Sequence, residues 1–187
     1  MSQAPYDPRA VANKLLDMAA LVMEKQATIT PLALQKLLYF VHARYLATTG
    51  KPAVKGAFEA WQYGPVHPTV YKAFSDFGKN PITSRAKAQN LLTGEERELA
   101  TPEDWQLNRA IMSVLLNVGH LPAGRLVDLS HAENGPWHFI WEKVRKGEAV
   151  TRQIPDEVTQ QRGSRMFMIA HHEQSDSPYG EEVPPQH

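Results

Sequence analysis

Three neighbouring residues, His171, His172 and Glu173, have side chains that could ligate a metal, since imidazole and carboxylate groups bind zinc and manganese. Adjacent residues on a helix point about 100° apart, however, and the triplet leads into a polar, proline-containing stretch. Exposed polar residues are the simpler interpretation. We therefore predict no metal and no cofactor. A metal-dependent hydrolase that uses His171 and His172 stays as an alternative function.

Ser130 and His131 supply the hydroxyl and the imidazole of a nucleophilic pair. Neighbours in sequence rarely face each other, so a structural histidine at a helix end is the favoured interpretation. The chain also lacks the P-loop, dinucleotide, nucleophile-elbow and H-E-x-x-H motifs. It contains no cysteine, which excludes thiolate chemistry and disulfides. We predict no catalytic residue and no enzymatic activity.

Aromatic side chains surround a Gly-Pro turn in residues 61–71. On an extended segment Trp61 and Tyr63 lie on the same side, and the Gly64-Pro65 turn fixes where that side points. One interpretation is a rigid aromatic platform for a protein partner, which makes Trp61, Tyr63, Gly64, Pro65 and Tyr71 the candidate partner-binding residues. The other is a corner of the core, which the frequent burial of aromatic side chains favours.

Hydrophobic periodicity predicts the helices that position these residues. Asp7-Pro8 and Thr30-Pro31 are start signals, and Gly50 is a stop signal. The predicted helices cover about 8–25, 31–49, 68–77, 102–118, 122–131, 136–146 and a last stretch from Pro155 through Ile169.

Between the helices, an extended segment is predicted near residues 57–63. The polar stretch 79–100 predicts a loop or hairpin, with extended structure within 81–92 and a strand near 81–83. The predicted fold is therefore mainly α, a compact single-domain helical bundle with a short β segment. Residues 1–170 form the domain, and 171–187 form a flexible tail.

Composition bounds the class of protein. The chain has 187 residues with 20 Lys and Arg against 20 Asp and Glu, and this balance argues against nucleic acid as a partner. The sequence shows no secretory signal and no span of about 20 apolar residues, so we expect a cytoplasmic protein away from membranes. Residues 1–80 nevertheless hold nine basic against five acidic side chains, and residues 81–187 hold eleven against fifteen. That asymmetry indicates solvated faces, a protein-docking surface, or a DNA-binding autorepressor as a further alternative.

Three stretches in order, 29–40, 58–71 and 129–137, resemble the Panacea domain of the SocA-like antitoxin family, also described as phage-associated protein. The similarity extends over about residues 7–154. In the third stretch His131 directly follows Ser130, where the family pattern has a Thr-His pair. The residues that carry the family motifs are Thr30, Pro31, Gln35, Lys36, Tyr39, Ser130, His131, Pro136 and Trp137.

This resemblance implies a mainly helical antitoxin that neutralises a toxin by direct binding, the toxin being encoded by an adjacent gene. It also implies a second role for such a protein, as a proteolytic adaptor that delivers the toxin to a ClpXP-type protease. An adaptor needs two docking surfaces, and the tail from His171 is the predicted second one.

Overall fold

The computed structural model describes residues 3–22, 28–90 and 92–168. The predicted tail at 171–187, the His171, His172 and Glu173 triplet, and the predicted helix ends at residues 25 and 169 lie outside this described part.

Helices dominate the structure, so the mainly α prediction is confirmed; the more specific prediction of a regular bundle stays a prediction. The α-helices are α1 Pro8–Val22, α2 Pro31–Thr49, α3 Pro68–Phe74, α4 Trp105–Val118, α5 Ala123–Ser130, α6 Pro136–Arg145, α7 Asp156–Arg162 and α8 Arg165–Met168. A 3₁₀ turn, Ser75–Phe77, extends α3. The strands are β1 Phe58–Trp61, β2 Gly64–Val66, β3 Lys87–Gln89, β4 Glu96–Glu98 and β5 Gln153–Ile154.

The central element is α2, which packs against α1, α3, α4, α5, α7 and β2. Its ends are where the sequence predicts them. The Thr30 hydroxyl accepts a hydrogen bond from the Ala33 N–H at 3.3 Å, and Gly50, at φ +69°, donates its N–H to the Leu46 carbonyl. Because its neighbours cover it on nearly all sides, α2 buries polar residues as well as apolar ones.

The larger sheet has the strand order β2-β1-β5, with both pairs antiparallel. Trp61 pairs with Gly64, so Gln62 and Tyr63 are the two central residues of a tight turn. The expectation that Trp61 and Tyr63 share one side of an extended segment is therefore wrong, because the strand ends at Trp61. The sequence also gave no indication of β5, which pairs Ile154 with Phe58.

A second hairpin pairs β3 with β4. The strand expected near 81–83 is absent from the described residues, because Pro81 has no N–H to donate to a ladder and Ile82 makes only an isolated bond, N–H to the Ile29 carbonyl at 2.9 Å. Extended structure within 81–92 is instead at β3. The Asn13 side chain binds both the N–H and the carbonyl of Ala86, which fixes the approach to that strand.

The start of α4 differs from the prediction. Thr101 and Pro102 precede the helix, and Asp104 caps it by accepting the Gln106 N–H at 2.8 Å. The same carboxylate accepts hydrogen bonds from the hydroxyls of Tyr6, at 3.1 Å, and Tyr45, at 2.7 Å. Tyr45 lies on α2 and Tyr6 lies in the segment before α1. Their hydrogen bonds hold Asp104 at the cap position, so the helix begins after Asp104 and not at the local start signal Thr101-Pro102.

The last predicted helix is divided into α7 and α8 around Gly163. Across the described ranges, no single helix has both the length and the apolar character needed to cross a membrane; α4 and α5 reach them only together, across a 111° bend.

Candidate functional site: a hairpin seated on three helices

The β1–β2 hairpin is attached to α2 by two buried polar side chains. Lys36 is fully buried, and its ammonium group donates to the Pro65 carbonyl at 3.2 Å. The neighbouring Gln35 accepts the His67 N–H with its side-chain oxygen at 2.8 Å. The middle of β2 and the residue just after it, His67, are therefore hydrogen-bonded to α2, which fixes the distance between hairpin and helix.

Gly64 allows this close approach. Its φ of +103° lies in the region that favours glycine, and a Cβ there would stand 2.5 Å from the Ser130 hydroxyl and 3.0 Å from Lys36 Cε. Ser130, at the end of α5, is fully buried and donates its hydroxyl to the Val127 carbonyl at 2.7 Å. This geometry does not present Ser130 to a substrate as a nucleophile.

The third attachment is to α6. The Trp137 indole N–H donates to the Trp61 carbonyl at 2.8 Å. The same indole also stacks on the ring of His131. The two ring centroids are 3.7 Å apart, and the interplanar angle is 8°. Residues from all three motif stretches therefore meet at the hairpin.

The electrostatics of this site keep His131 neutral. Burial is the main cause that lowers the pKa of His131 to about 3, and the charges of Lys36 and His138 add to the shift. A neutral imidazole stacks on an indole without the cost of burying a second cation beside Lys36. His131 is thus a neutral packing group at neutral pH.

The candidate partner-binding residues divide into two sets. Trp61 is 4% exposed, donates its indole N–H to Glu59 at 2.8 Å and meets the Tyr71 ring edge-on at 5.0 Å. Gly64 and Pro65 are buried too, whereas Tyr63 and Tyr71 are half-buried and reach the surface. Only these two aromatic side chains of the set can touch a partner without a change in the hairpin.

The remaining motif residues lie apart from the hairpin turn. Thr30 and Pro31 begin α2, and Pro136 begins α6. Tyr39 is fully buried, and its hydroxyl is 2.8 Å from that of Thr159 on α7. These residues fix the helices on which the hairpin rests.

Sequence reasoning missed His67. Its backbone is held by Gln35, and its ring Nε2 is 2.9 Å from the Lys55 carbonyl, which requires an Nε2–H donor. Burial lowers the pKa of His67, so the ring is neutral. The His67-Pro68 pair marked a turn, but no local signal indicated a buried imidazole.

No set of three or more His, Asp or Glu side chains within the described ranges is arranged to hold a metal ion.

The family described as "Antitoxin SocA-like, Panacea domain" matches residues 34–138, which include most of α2, the hairpin and the start of α6. The chain belongs to this antitoxin family. It is 48% identical to Antitoxin SocA of Caulobacter vibrioides (strain NA1000 / CB15N) over 134 residues, which are 72% of this chain and 70% of that protein. No solved structure matches the chain.

Proposed function

We propose that this protein is a cytoplasmic antitoxin that neutralises a cognate toxin, the product of an adjacent gene, by direct binding and without chemistry of its own. The observation that carries the proposal is the 48% identity to Antitoxin SocA across the region that contains the hairpin. The use of Gln35, Lys36, Ser130 and Trp137 to hold that hairpin in one position supports it, because a rigid surface loses little entropy on binding.

Within this proposal the turn of the β1–β2 hairpin and the adjoining helix α3 contact the toxin. Tyr63 and Tyr71 supply the contact, since tyrosine combines a large apolar area with few rotatable bonds. The other three candidate residues, Trp61, Gly64 and Pro65, are buried. They contribute indirectly in this proposal, by fixing the conformation of the hairpin turn.

The decisive experiment expresses the adjacent gene product with and without this chain. Growth arrest by that product alone, relieved by co-expression, is the expected result, together with a complex that survives size-exclusion chromatography. A product that is harmless alone, or one that arrests growth equally in the presence of the chain, contradicts the proposal.

The contact through Tyr63 and Tyr71 is tested with Tyr63→Ala and Tyr71→Ala. Leu92→Ala, on the other hairpin, is the matched control, since Leu92 is 96% exposed. We expect each tyrosine variant to bind the toxin about tenfold more weakly, because truncating an aromatic contact costs about 1 to 2 kcal/mol. The affinity of the control variant should not change. Trp61→Ala should instead lower the unfolding temperature.

A proteolytic adaptor role extends the proposal. It requires a second docking surface for a ClpXP-type protease, for which residues 171–187 are the candidate. Deleting those residues should lengthen the half-life of the toxin in cells and leave the affinity of the purified complex unchanged. An unchanged half-life removes the adaptor role and leaves neutralisation by direct binding in place.

A further inference from the structure

Helix α4 has two faces with side chains suited to packing. One is buried in the core, and its residues are Leu107, Ala110, Ile111, Val114, Leu115 and Val118. The other faces outward and consists of Trp105, Arg109, Met112 and Leu116, at positions i, i+4, i+7 and i+11. We name these four residues the outer stripe.

The outer stripe exposes two large apolar side chains to solvent. Trp105 is 64% exposed and Leu116 is 65% exposed, although isolated exposed apolar side chains are common. Here the two lie in one row, about 16 Å apart at 1.5 Å per residue, with Met112 between them. Three turns of helix therefore present two exposed large apolar side chains, Trp105 and Leu116, with the half-buried Met112 between them.

The row is flanked by positive charge. The Arg109 guanidinium lies 5.4 Å from the centre of the Trp105 ring, and Arg44 of α2 faces it across a cleft of about 310 Å³. No acidic side chain lines this cleft, and neither arginine has a carboxylate within 4.0 Å among the described residues. Arginine and tryptophan are the residue types most enriched at energetic centres of protein interfaces.

A second cleft, which also borders Thr48 and Trp105, has mixed charge. It contains Lys51, Glu103 and Asp104, and the Asp104 carboxylate is already bound by two tyrosine hydroxyls. Of these two clefts, the one lined by Arg44 and Arg109 is therefore the one whose charged side chains are all positive.

The outer stripe is separate from the hairpin. On α2, Arg44 and Thr48 point toward the cleft, whereas Gln35 and Lys36 hold β2. At about 100° per residue the mean directions of these two pairs differ by about 150°. The outer stripe and the hairpin therefore use different residues of α2.

We propose that the outer stripe is a docking surface for an amphipathic, acidic segment of the cognate toxin. This inference rests on the proposed antitoxin function and names the chemistry of the toxin segment: an apolar row that covers Trp105, Met112 and Leu116, with carboxylates that pair with Arg44 and Arg109. A helix of three to four turns matches the length of the row and is the simplest segment of this kind. Charge complementarity decides for such a partner over a second copy of this chain, which would bring like charges together.

The test measures the affinity of the purified chain for the adjacent gene product. The double variant Trp105→Ala/Leu116→Ala should weaken binding at least about 30-fold, because the two largest anchors are lost. Leu92→Ala, which removes a leucine that is 96% exposed on the β3–β4 hairpin, should leave the affinity unchanged.

The charge component is tested separately with Arg109→Glu against Arg97→Glu, an exposed arginine on β4. Arg109→Glu should weaken binding about tenfold at low salt, with a smaller difference at 0.5 M salt, because salt screens exposed charges. This variant changes an exposed side chain, so it keeps the proposal testable if the double variant fails to fold.

Wild-type affinity in the double variant and in Arg109→Glu, with the wild-type chain binding the toxin, overturns the docking surface and leaves the antitoxin function intact. Failure of the wild-type chain to bind the toxin overturns both. A chain that is a dimer by light scattering, and a monomer in the double variant, assigns the stripe to a second copy and overturns the proposal. Weakened binding by both the stripe and the Tyr63 variants supports it, with the toxin contacting two surfaces.

Discussion

Replacing Gly64 by alanine is the sharpest test of how the hairpin is seated. The residue has φ +103°, and an added Cβ would lie 2.5 Å from Ser130 Oγ and 3.0 Å from Lys36 Cε. Neither neighbour can easily move, because both are fully buried and Lys36 is bound to the Pro65 carbonyl. The hairpin would have to lift away from α2 and α5.

Two costs add in this variant. Backbone strain for a residue with a side chain in this region is about 1 to 2 kcal/mol, and overpacking a tight contact costs about 1 to 3 kcal/mol more. We therefore expect a loss of about 3 kcal/mol in the free energy of unfolding. For a domain of this size that corresponds to a drop of roughly 6 to 12 °C in the unfolding temperature.

Urea denaturation and thermal unfolding measure this loss, and Gly147→Ala is the matched control. Gly147 also has a positive φ, +72°, but an added Cβ there meets no atom within 4 Å. It should therefore show only the strain, about 1 kcal/mol. In a Ser130→Ala background the closest contact disappears, so Gly64→Ala should cost about 1 kcal/mol less than in the wild type.

Equal losses for Gly64→Ala and Gly147→Ala would refute the reasoning, since the two differ in the contacts that the new methyl group meets. If Gly64→Ala lowers the free energy of unfolding by the same amount in the Ser130→Ala background, the contact with Ser130 on α5 is not the source of the destabilisation.

Three further predictions concern buried polar groups. Lys36→Ala should cost about 2 to 4 kcal/mol in urea denaturation and Lys36→Met about half of that, because methionine keeps the volume but not the bond to Pro65. Burial raises the pKa of Asp104, but hydrogen bonds, that of Tyr45 foremost, hold it below its usual value. Its stabilising effect is therefore present above about pH 4 and lost as the pH falls further, so Tyr45→Phe should cost about 1 kcal/mol at pH 7 and less at pH 3. The folded-state pKa of His131, about 3, lies below the unfolded value, so folding is destabilised as pH falls from about 6.5 toward 3, and NMR should show no His131 titration near pH 6.

The sequence predicted the elements whose causes are local. Thr30 and Gly50 set the ends of α2 through hydrogen bonds to residues at most four positions away, and Pro31 favours the first helical position. These signals are local, so they are visible in the neighbouring sequence. The start of α4 could not be predicted from neighbouring residues, because Tyr6 and Tyr45 hold the capping residue Asp104 by hydrogen bonds. Both tyrosines are distant from Asp104 in sequence. Tertiary hydrogen bonds of this kind outweigh a local start signal such as Thr101-Pro102.

The site itself could be predicted only as separate motifs. Lys36 and Pro65 are 29 residues apart, and Trp61 and Trp137 are 76 residues apart, so their hydrogen bonds become visible only in the folded chain. The family resemblance found all three stretches without showing that they meet. The Trp61-Tyr63 alternation was wrong for a related reason: a two-residue turn ends the strand, and only pairing with β2 reveals it.

The asymmetry of charge along the chain gains a different meaning in three dimensions. In the sequence, a basic first part and an acidic second part indicate solvated faces, a protein-docking surface or a DNA-binding autorepressor. Arg44 belongs to the first part and Arg109 to the second, yet both line the same cleft beside Trp105. Because α2 and α4 lie side by side, the fold brings cations from both parts of the sequence to one place. If an acidic segment of the toxin docks there as proposed, reversing Arg44 or Arg109 alone should weaken toxin binding by a similar amount, because both arginines line the same cleft.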